Sequence, residues 1–381
     1  MWLVPILVLL SSMATSSAPI LEKVEFSSLW SWTDDNHAAA MAAFQRSCRE
    51  ILDRGSAFSR SVRFGGRRED WAEVCAAAYV ASNPREFFES HFTAYRVIDP
   101  DRPEGLFTGY FEPEVEGSQV PDGIFRVPLY RKPEDLVSFD TIEQSQTGLA
   151  YGRRVNGGPL PYFTREEIET GALAGRELEI VWLKDWADAF FIQVQGSGRV
   201  HLPDGSTLRL SYAAKSGQPY TGIGAVLVQR GAFAHEDMSM KAIRDWIRKN
   251  PGESRSLMWL NKSFIFFREA YLADSSLGPL GAQHVQLTPL RSLAVDRSIW
   301  MFGTPIWLET TFTENHDTAS QFFRRLLIAQ DTGSAIAGPT RGDVFWGFGE
   351  VASGPAGHMK SSGTMIVLLP TQVARHLDLL R

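Results

Sequence analysis

Five residues, Asp99-Pro100-Asp101-Arg102-Pro103, constrain this chain most, because the spacing of its apolar residues changes across them. Two prolines so close can neither continue a helix nor sit in a central strand, so a domain boundary is expected here. Before the break the pattern is helical. Thr33-Asp34-Asp35 offers N-caps for an Ala-rich helix to about Leu52, with Ala38, Met41, Ala42 and Phe44 on its apolar side. A second helix is expected from about Asp70 to Ala81. Asn83 followed by Pro84 then reads as the cap and first-turn proline of a third, ending near Phe92.

Beyond the break, short strands follow one another. Gly105 to Glu114, Glu177 to Leu183, Ala189 to Gln195, Gly198 to Leu202 and Ser206 to Tyr212 carry β-branched or aromatic residues between turn signals. Pro203-Asp204-Gly205 makes a hairpin turn, and Thr164 with Glu167 forms a capping box for one short helix. Strands at this density suggest a small barrel. Helical signal returns at Ala225 to Gln229 and Met240 to Lys249, and the strand-like segments Ser292 to Val295, Pro305 to Glu309, Asp343 to Trp346 and Thr364 to Leu369 complete the chain.

A length of 381 residues, 44% of them hydrophobic and 22% charged, suits two globular domains. The net charge of -6 excludes a basic footprint for nucleic acid. At the N-terminus, the apolar run Trp2 to Leu10 is too short to span a bilayer but fits the core of an export signal, so residues 1–18 are expected to be a signal peptide, although no Lys or Arg precedes the run. No cysteine lies near it to accept a lipid. Cys48 and Cys75, the two cysteines, each fall in a helical pattern; they form a disulfide or two buried thiols according to whether their Cα atoms come within about 7 Å.

Familiar catalytic motifs are missing. The eight histidines are scattered, with no HExxH or Cys/His spacing for zinc, and Gly222-Ile223-Gly224 lacks the third glycine of a dinucleotide fingerprint. Gly196-Ser197-Gly198 lacks the spacing of a nucleophile elbow. No metal and no cofactor are therefore expected, and carboxylates are the leading catalytic groups. Ala329 to Gly349 places two of them, Asp331 and Asp343, among small residues, with Phe345 and Trp346 beside the second. Partial desolvation there raises a carboxyl pKa and suits general-acid work, while aromatic faces suit sugar rings. Asp331-Thr332-Gly333 reads equally well as a plain turn.

Three blocks carry a resemblance. Thr108-Gly109-Tyr110-Phe111-Glu112-Pro113, Gln193-Val194-Gln195-Gly196-Ser197-Gly198, and Asp331 to Ile336 with Asp343-Val344-Phe345 resemble the membrane-bound lytic murein transglycosylase A family, in the expected order over about residues 104 to 370. The resemblance implies a mainly β fold with a helical N-terminus: a double-psi β-barrel of the three-aspartate type, with a second, smaller β-barrel domain inserted and the substrate groove between them. On that basis residues 19–103 and 240–381 form the first domain and 104–239 the insert.

The implied activity is cleavage of peptidoglycan between N-acetylmuramic acid and N-acetylglucosamine without water, giving 1,6-anhydro ends. Asp343 is the implied catalytic acid and then base, and Asp331 its support. Thr108, Tyr110, Gln195, Ser197, Asp296 and Thr332 are the implied substrate contacts, with Asp296 reading slightly better as a loop or strand-end residue that bonds backbone. Gln193 and Gln195 are expected on one strand face. The implied partner is the glycan strand, with cell-wall synthesis complexes left open; a monomer in the periplasm, in or out of contact with the outer membrane, is the expected form. Two departures stand out. The residue after Ile336 is often basic in the family, whereas here it is Ala337, and better-known members carry an acylated cysteine that is missing. A two-aspartate glycan hydrolase and a non-catalytic wall-binding protein remain as alternatives.

Overall fold

The computed structural model describes residues 18–378, apart from 235–236, 273 and 316–317. The expected signal peptide thus lies, except for Ala18, outside the described residues. No helix among those described is long and apolar enough to cross a membrane.

Strand β1 (Ile20–Val24) pairs antiparallel with β2 (Phe92–Ile98), and between them come helices α1 (His37–Asp53), α2 (Arg68–Val80) and α3 (Pro84–His91). Asn36, rather than Asp34 or Asp35, caps α1 by accepting from the Ala39 amide, and the buried face is shifted from the expected one. Ala40, Met41, Ala43, Phe44, Cys48 and Ile51 are buried, while Ala38 and Ala42 are exposed. Asp35 is thereby free to form a buried, two-pronged pair with Arg291, at 2.7 and 2.8 Å. Asn83 and Pro84 start α3 as expected.

After β3 (Leu106–Glu112) the chain leaves this sheet and builds β4 (Glu114–Ser118), β5 (Val127–Tyr130), β6 (Val137–Ser138), α4 (Thr141–Thr147), β7 (Tyr151–Val155), β8 (Gly158–Leu160), α5 (Arg165–Glu167) and β9 (Glu179–Leu183). There follow α6 (Trp186–Gln195), β10 (Ser197–His201), β11 (Thr207–Lys215), α7 (Ile223–Gln229), α8 (Met240–Lys249), α9 (Pro251–Trp259) and β12 (Ile265–Glu269). The return brings β13 (Ser292–Val295), β14 (Pro305–Phe312), β15 (Gln321–Asp331), β16 (Arg341–Phe348), α10 (Gly349–His358), β17 (Lys360–Ser361), β18 (Gly363–Pro370) and α11 (Thr371–Asp378).

Hydrogen bonds order nine strands as β1-β2-β18-β14-β15-β13-β16-β3-β17 and six others as β12-β11-β10-β4-β9-β5. The fold is therefore mostly β with helices, as expected, but the two closed barrels are not found: the nine-stranded sheet is open among the described residues, and the edges of the six-stranded one meet only through a single bridge, between Arg131 just after β5 and Phe267 of β12. The nine-stranded ladder ends in the five-residue β1 and the two-residue β17, which offer few groups for completing a ring of bonds. Its two faces bury separate cores, one beneath α1 to α3 with Phe44, Trp71, Phe88 and Trp307, the other around Phe107, Trp300, Val344 and Met365. Helices α7 to α9 pack against Phe190 and Phe191 of α6, and β12 bonds to β11, so residues 240–269 lie with the six-stranded sheet.

One expected strand is a helix. Ala189 to Gln195 falls within α6, which Asp185 caps by accepting from the Asp188 amide and which Gly196 ends at φ 78°. Ala187 and residues Ala189 to Gln193 are all buried, so the sequence shows no alternation to separate the two periods. Gln193 and Gln195 accordingly do not share a strand face.

Cys48 in α1 and Cys75 in α2 are joined, with Cα atoms 5.1 Å apart. The bridge closes a separation of 27 residues. Replacing both cysteines with alanine is expected to lower unfolding free energy by roughly 2–4 kcal/mol. Urea denaturation of both proteins checks this, and equal midpoints would deny the bridge that role.

Candidate active site

A bulge in one strand sets the geometry of the site. In the pairing of β13 with β15, Leu293 faces Ala329, but the next residue, Ala294, faces Asp331, and Gln330 is skipped. A one-residue insertion of this kind turns the following side chain to the other face of the sheet. Gln330 is fully buried and bonds to the Ala43 carbonyl and the Ser47 hydroxyl of α1, whereas Asp331 joins the face that carries Ala294. Across the other edge of β13, Ala294 faces Asp343 of β16, which in turn faces Thr108 of β3. Asp331, Ala294, Asp343 and Thr108 thus form one row across four strands. The two aspartates stand two strand spacings apart, roughly 9–10 Å at Cα, with only an alanine methyl between them.

Each carboxylate is held by its neighbours. The Thr108 hydroxyl donates to Asp343 Oδ1 at 2.5 Å, and Arg341 Nη2 donates to the Thr108 oxygen at 2.8 Å. The Tyr110 hydroxyl donates to Asp331 Oδ2 at 2.7 Å, and the Ala282 amide to Oδ1 at 2.9 Å. Thr108 and Tyr110 alternate on β3, and the glycine between them is required by close packing. A Cβ at Gly109 would meet Trp346 Nε1 at 2.5 Å and the Ala356 backbone at 2.8 Å.

Burial pushes the Asp343 carboxyl up from its usual range; the Arg341 charge and the Thr108 bond pull it down, and Asp331 pushes it up again. Burial likewise raises Asp331, against bonds from Tyr110, Ala282 and Thr332. The Tyr110 hydroxyl is raised well above its ordinary value by burial and by Asp331, and stays a neutral donor.

Both aspartates line a cavity of about 310 Å³ between the two sheets. Its first wall includes Tyr110, Thr332 and Arg341, and its second Gln193, Gln195, Tyr220 and Asn261. Gln195, at the end of α6, accepts from the Phe111 amide, tying the second wall to β3. Thr332 donates to the Val295 carbonyl. Thr108 reaches the site through its bond to Asp343 rather than as part of the wall.

Two residues singled out in the sequence lie elsewhere. Asp296 accepts from the Ser298 amide and hydroxyl and from the Gly338 amide, and so shapes the turns that follow β13 and precede β16. Ser197 is buried at the start of β10, opposite Ser211. Neither lines the cavity.

Sequence reasoning passed over Arg341, Arg165, Tyr220 and Asn261. Arg341 had a signal: a residue two before Asp343 on a strand shares its face. Arg165 was hidden inside the Thr164 capping box. It is buried, pairs with Glu169 at 3.3 Å and donates to the carbonyls of Asn261 and Ser263, fixing the segment that forms the second wall. The cation missing at Ala337 has counterparts here, since Arg341 lines the cavity and Lys215 of β11 reaches across to the Ser334 hydroxyl at 3.1 Å.

Residues 106–268 match the MltA specific insert domain, and residues 291–369 match the 3D domain. The chain is 37% identical over 261 residues to the membrane-bound lytic murein transglycosylase A of Vibrio cholerae serotype O1, a stretch covering 68% of this chain and 63% of that protein. It is 35% identical over 266 residues to the Escherichia coli K12 protein of that name, over 69% of this chain and 65% of that one. The chain thus spans under two thirds of the length of these curated relatives. Among solved structures, the membrane-bound lytic murein transglycosylase from Agrobacterium tumefaciens superposes with a TM-score of 0.82 at 34% identity, over 93% of this chain and 99% of that one. MltA from Neisseria gonorrhoeae gives 0.76 at 30%, over 93% and 94%. E. coli MltA with bound chitohexaose gives 0.65 at 26%, over 94% and 93%.

Proposed function

The chain belongs to the membrane-bound lytic murein transglycosylase A family, and from that premise we propose that it cuts the β-1,4 bond between N-acetylmuramic acid and N-acetylglucosamine in peptidoglycan, without water, through Asp343. The observation that carries this is a carboxylic acid, raised by burial, in the wall of a cavity between two sheets, with only one of its oxygens hydrogen-bonded among the described residues. Protonated Asp343 gives its proton to the glycosidic oxygen as the bond from muramyl C1 breaks. The carboxylate then removes the proton from the C6 hydroxyl, whose oxygen bonds to C1. Asp343 ends protonated, and the product is a 1,6-anhydro ring.

Asp331 supports the acid by its charge, which raises Asp343. A two-aspartate hydrolase would instead need Asp331 to activate a water, and the bonds that its two oxygens accept from Tyr110 and Ala282 lower its basicity. Tyr110, Gln195 and Thr332 provide the polar groups that orient the glycan. A chitohexaose-bound structure of a relative accords with glycan as the ligand. The named homologues are membrane-bound; we place this chain in the periplasm, against peptidoglycan.

Mass spectrometry of fragments released from purified peptidoglycan sacculi tests the reaction. Anhydro-ended muropeptides, lighter by one water than those with reducing ends, are expected. Reducing ends would mean hydrolysis, and binding without release a wall-binding protein. Tyr110→Phe is expected to lower turnover about tenfold, since it removes one hydrogen bond to a charged group at the site, and Asp331 should titrate at higher pH in the variant because its carboxylate loses a donor. Carboxylate NMR of the variant would show no such rise if the bond were unimportant.

A further inference from the structure

Arg341 has no part in the reaction as written, yet its contacts place it one step behind the acid. It lies on β16 two residues before Asp343, and its Nη2 donates to Thr108 Oγ1 at 2.8 Å, while that oxygen lies 2.5 Å from Asp343 Oδ1. A guanidinium has donors only, and a threonine hydroxyl has one proton. With a guanidinium proton on one of its lone pairs, the Thr108 oxygen keeps its own proton turned away from Arg341, and donation to Asp343 Oδ1 becomes the favoured arrangement of the pair. Oδ1 is then an acceptor whether or not Asp343 is protonated, and the proton of the acid form sits on Oδ2. Among the described residues Oδ2 makes no hydrogen bond, and Asp343 lines the cavity.

We propose that Arg341 is a positioning residue that acts through Thr108: it fixes the direction of the Thr108 hydroxyl and so keeps the transferable proton of Asp343 on the oxygen left free for substrate. Without Arg341 the hydroxyl turns and accepts from Asp343, and the proton is held inside the protein, away from the glycosidic oxygen. The inference rests on Asp343 being the acid.

A double-mutant cycle with Thr108→Val and Arg341→Met on soluble glycan strands tests it. Valine keeps the shape of threonine but offers neither donor nor acceptor, so Arg341 then has nothing to orient. Arg341→Met alone is expected to lower kcat at least about tenfold with KM little changed, and to do so by less than about threefold in the Thr108→Val background. The basic limb of the kcat/KM profile should also move to higher pH in Arg341→Met, because a charge that favours the carboxylate is gone; a purely structural role would lower the melting temperature and leave that limb in place. Arg341→Gln replaces Arg341→Met if the latter does not fold. Losses that multiply across the cycle overturn the proposal. Should Asp343→Asn retain activity, the acid assignment itself fails; a dead Asp343→Asn beside a multiplicative cycle removes Arg341 alone.

Discussion

Asp343→Asn is expected to abolish release of anhydro fragments while the protein still folds and binds glycan. The amide keeps the size of the carboxyl and can still accept from Thr108, but it cannot give up a proton and take one back. Loss of general acid and base catalysis costs at least about 10²–10⁴ in rate. Turnover within threefold of the parent would take Asp343 out of the mechanism. The same substitution has a consequence for stability whose sign is fixed by the raised carboxyl. Between the ordinary carboxylate value and the raised folded one, the folded protein binds more protons than the unfolded chain, so stability falls as pH rises through that window. Asparagine carries no such penalty. Asp343→Asn should therefore melt higher than the parent at pH 7, with the gap closing as the pH is brought below the ordinary carboxylate range. A parent that is the more stable at neutral pH would deny that burial strains this group. The activity has a matching signature: because the acid must start protonated, kcat/KM should decline on the basic side at a pH above that of an ordinary aspartate.

The largest expected effect on stability belongs to Asp35→Ala. Asp35 receives both Arg291 nitrogens and the Leu326 amide, and Arg291 also donates to the Leu326 carbonyl, all in the interior. Removing the acid strands a buried guanidinium, which costs about 3–5 kcal/mol. The site should feel it, because the Arg291 carbonyl accepts from the Ile328 amide and β13 begins at the next residue, with Ala294 between the two aspartates. Denaturant unfolding of Asp35→Ala and of the double variant Asp35→Ala with Arg291→Met separates charge from packing. The double variant is expected to recover part of the loss, since it leaves no unpaired charge. A single variant within about 1 kcal/mol of the parent would show that the pair behaves as an exposed one.

What the sequence by itself determined is what depends on neighbours along the chain. Asn83 before Pro84, Thr164 before Glu167 and the turn at Asp204-Gly205 each satisfy their own backbone groups locally, and each stands as expected. The motif blocks also carried the family and the two aspartates to the cavity wall. Tertiary structure decided whatever depends on a partner far away. α6 could not be told from a strand because it is buried on nearly all sides, and only its packing between β3 and helices α7 to α9 shows the helical period. Asp35 reads as a helix cap until Arg291, 256 residues on, claims it. Above all, alternation along β15 would set Asp331 on the face of Ala329; Gln330 keeps to the α1 side with Ile328, and the bulge against β13 that follows it turns Asp331 to the side of Asp343. Register is a property of two strands together, so no single stretch of residues encodes it.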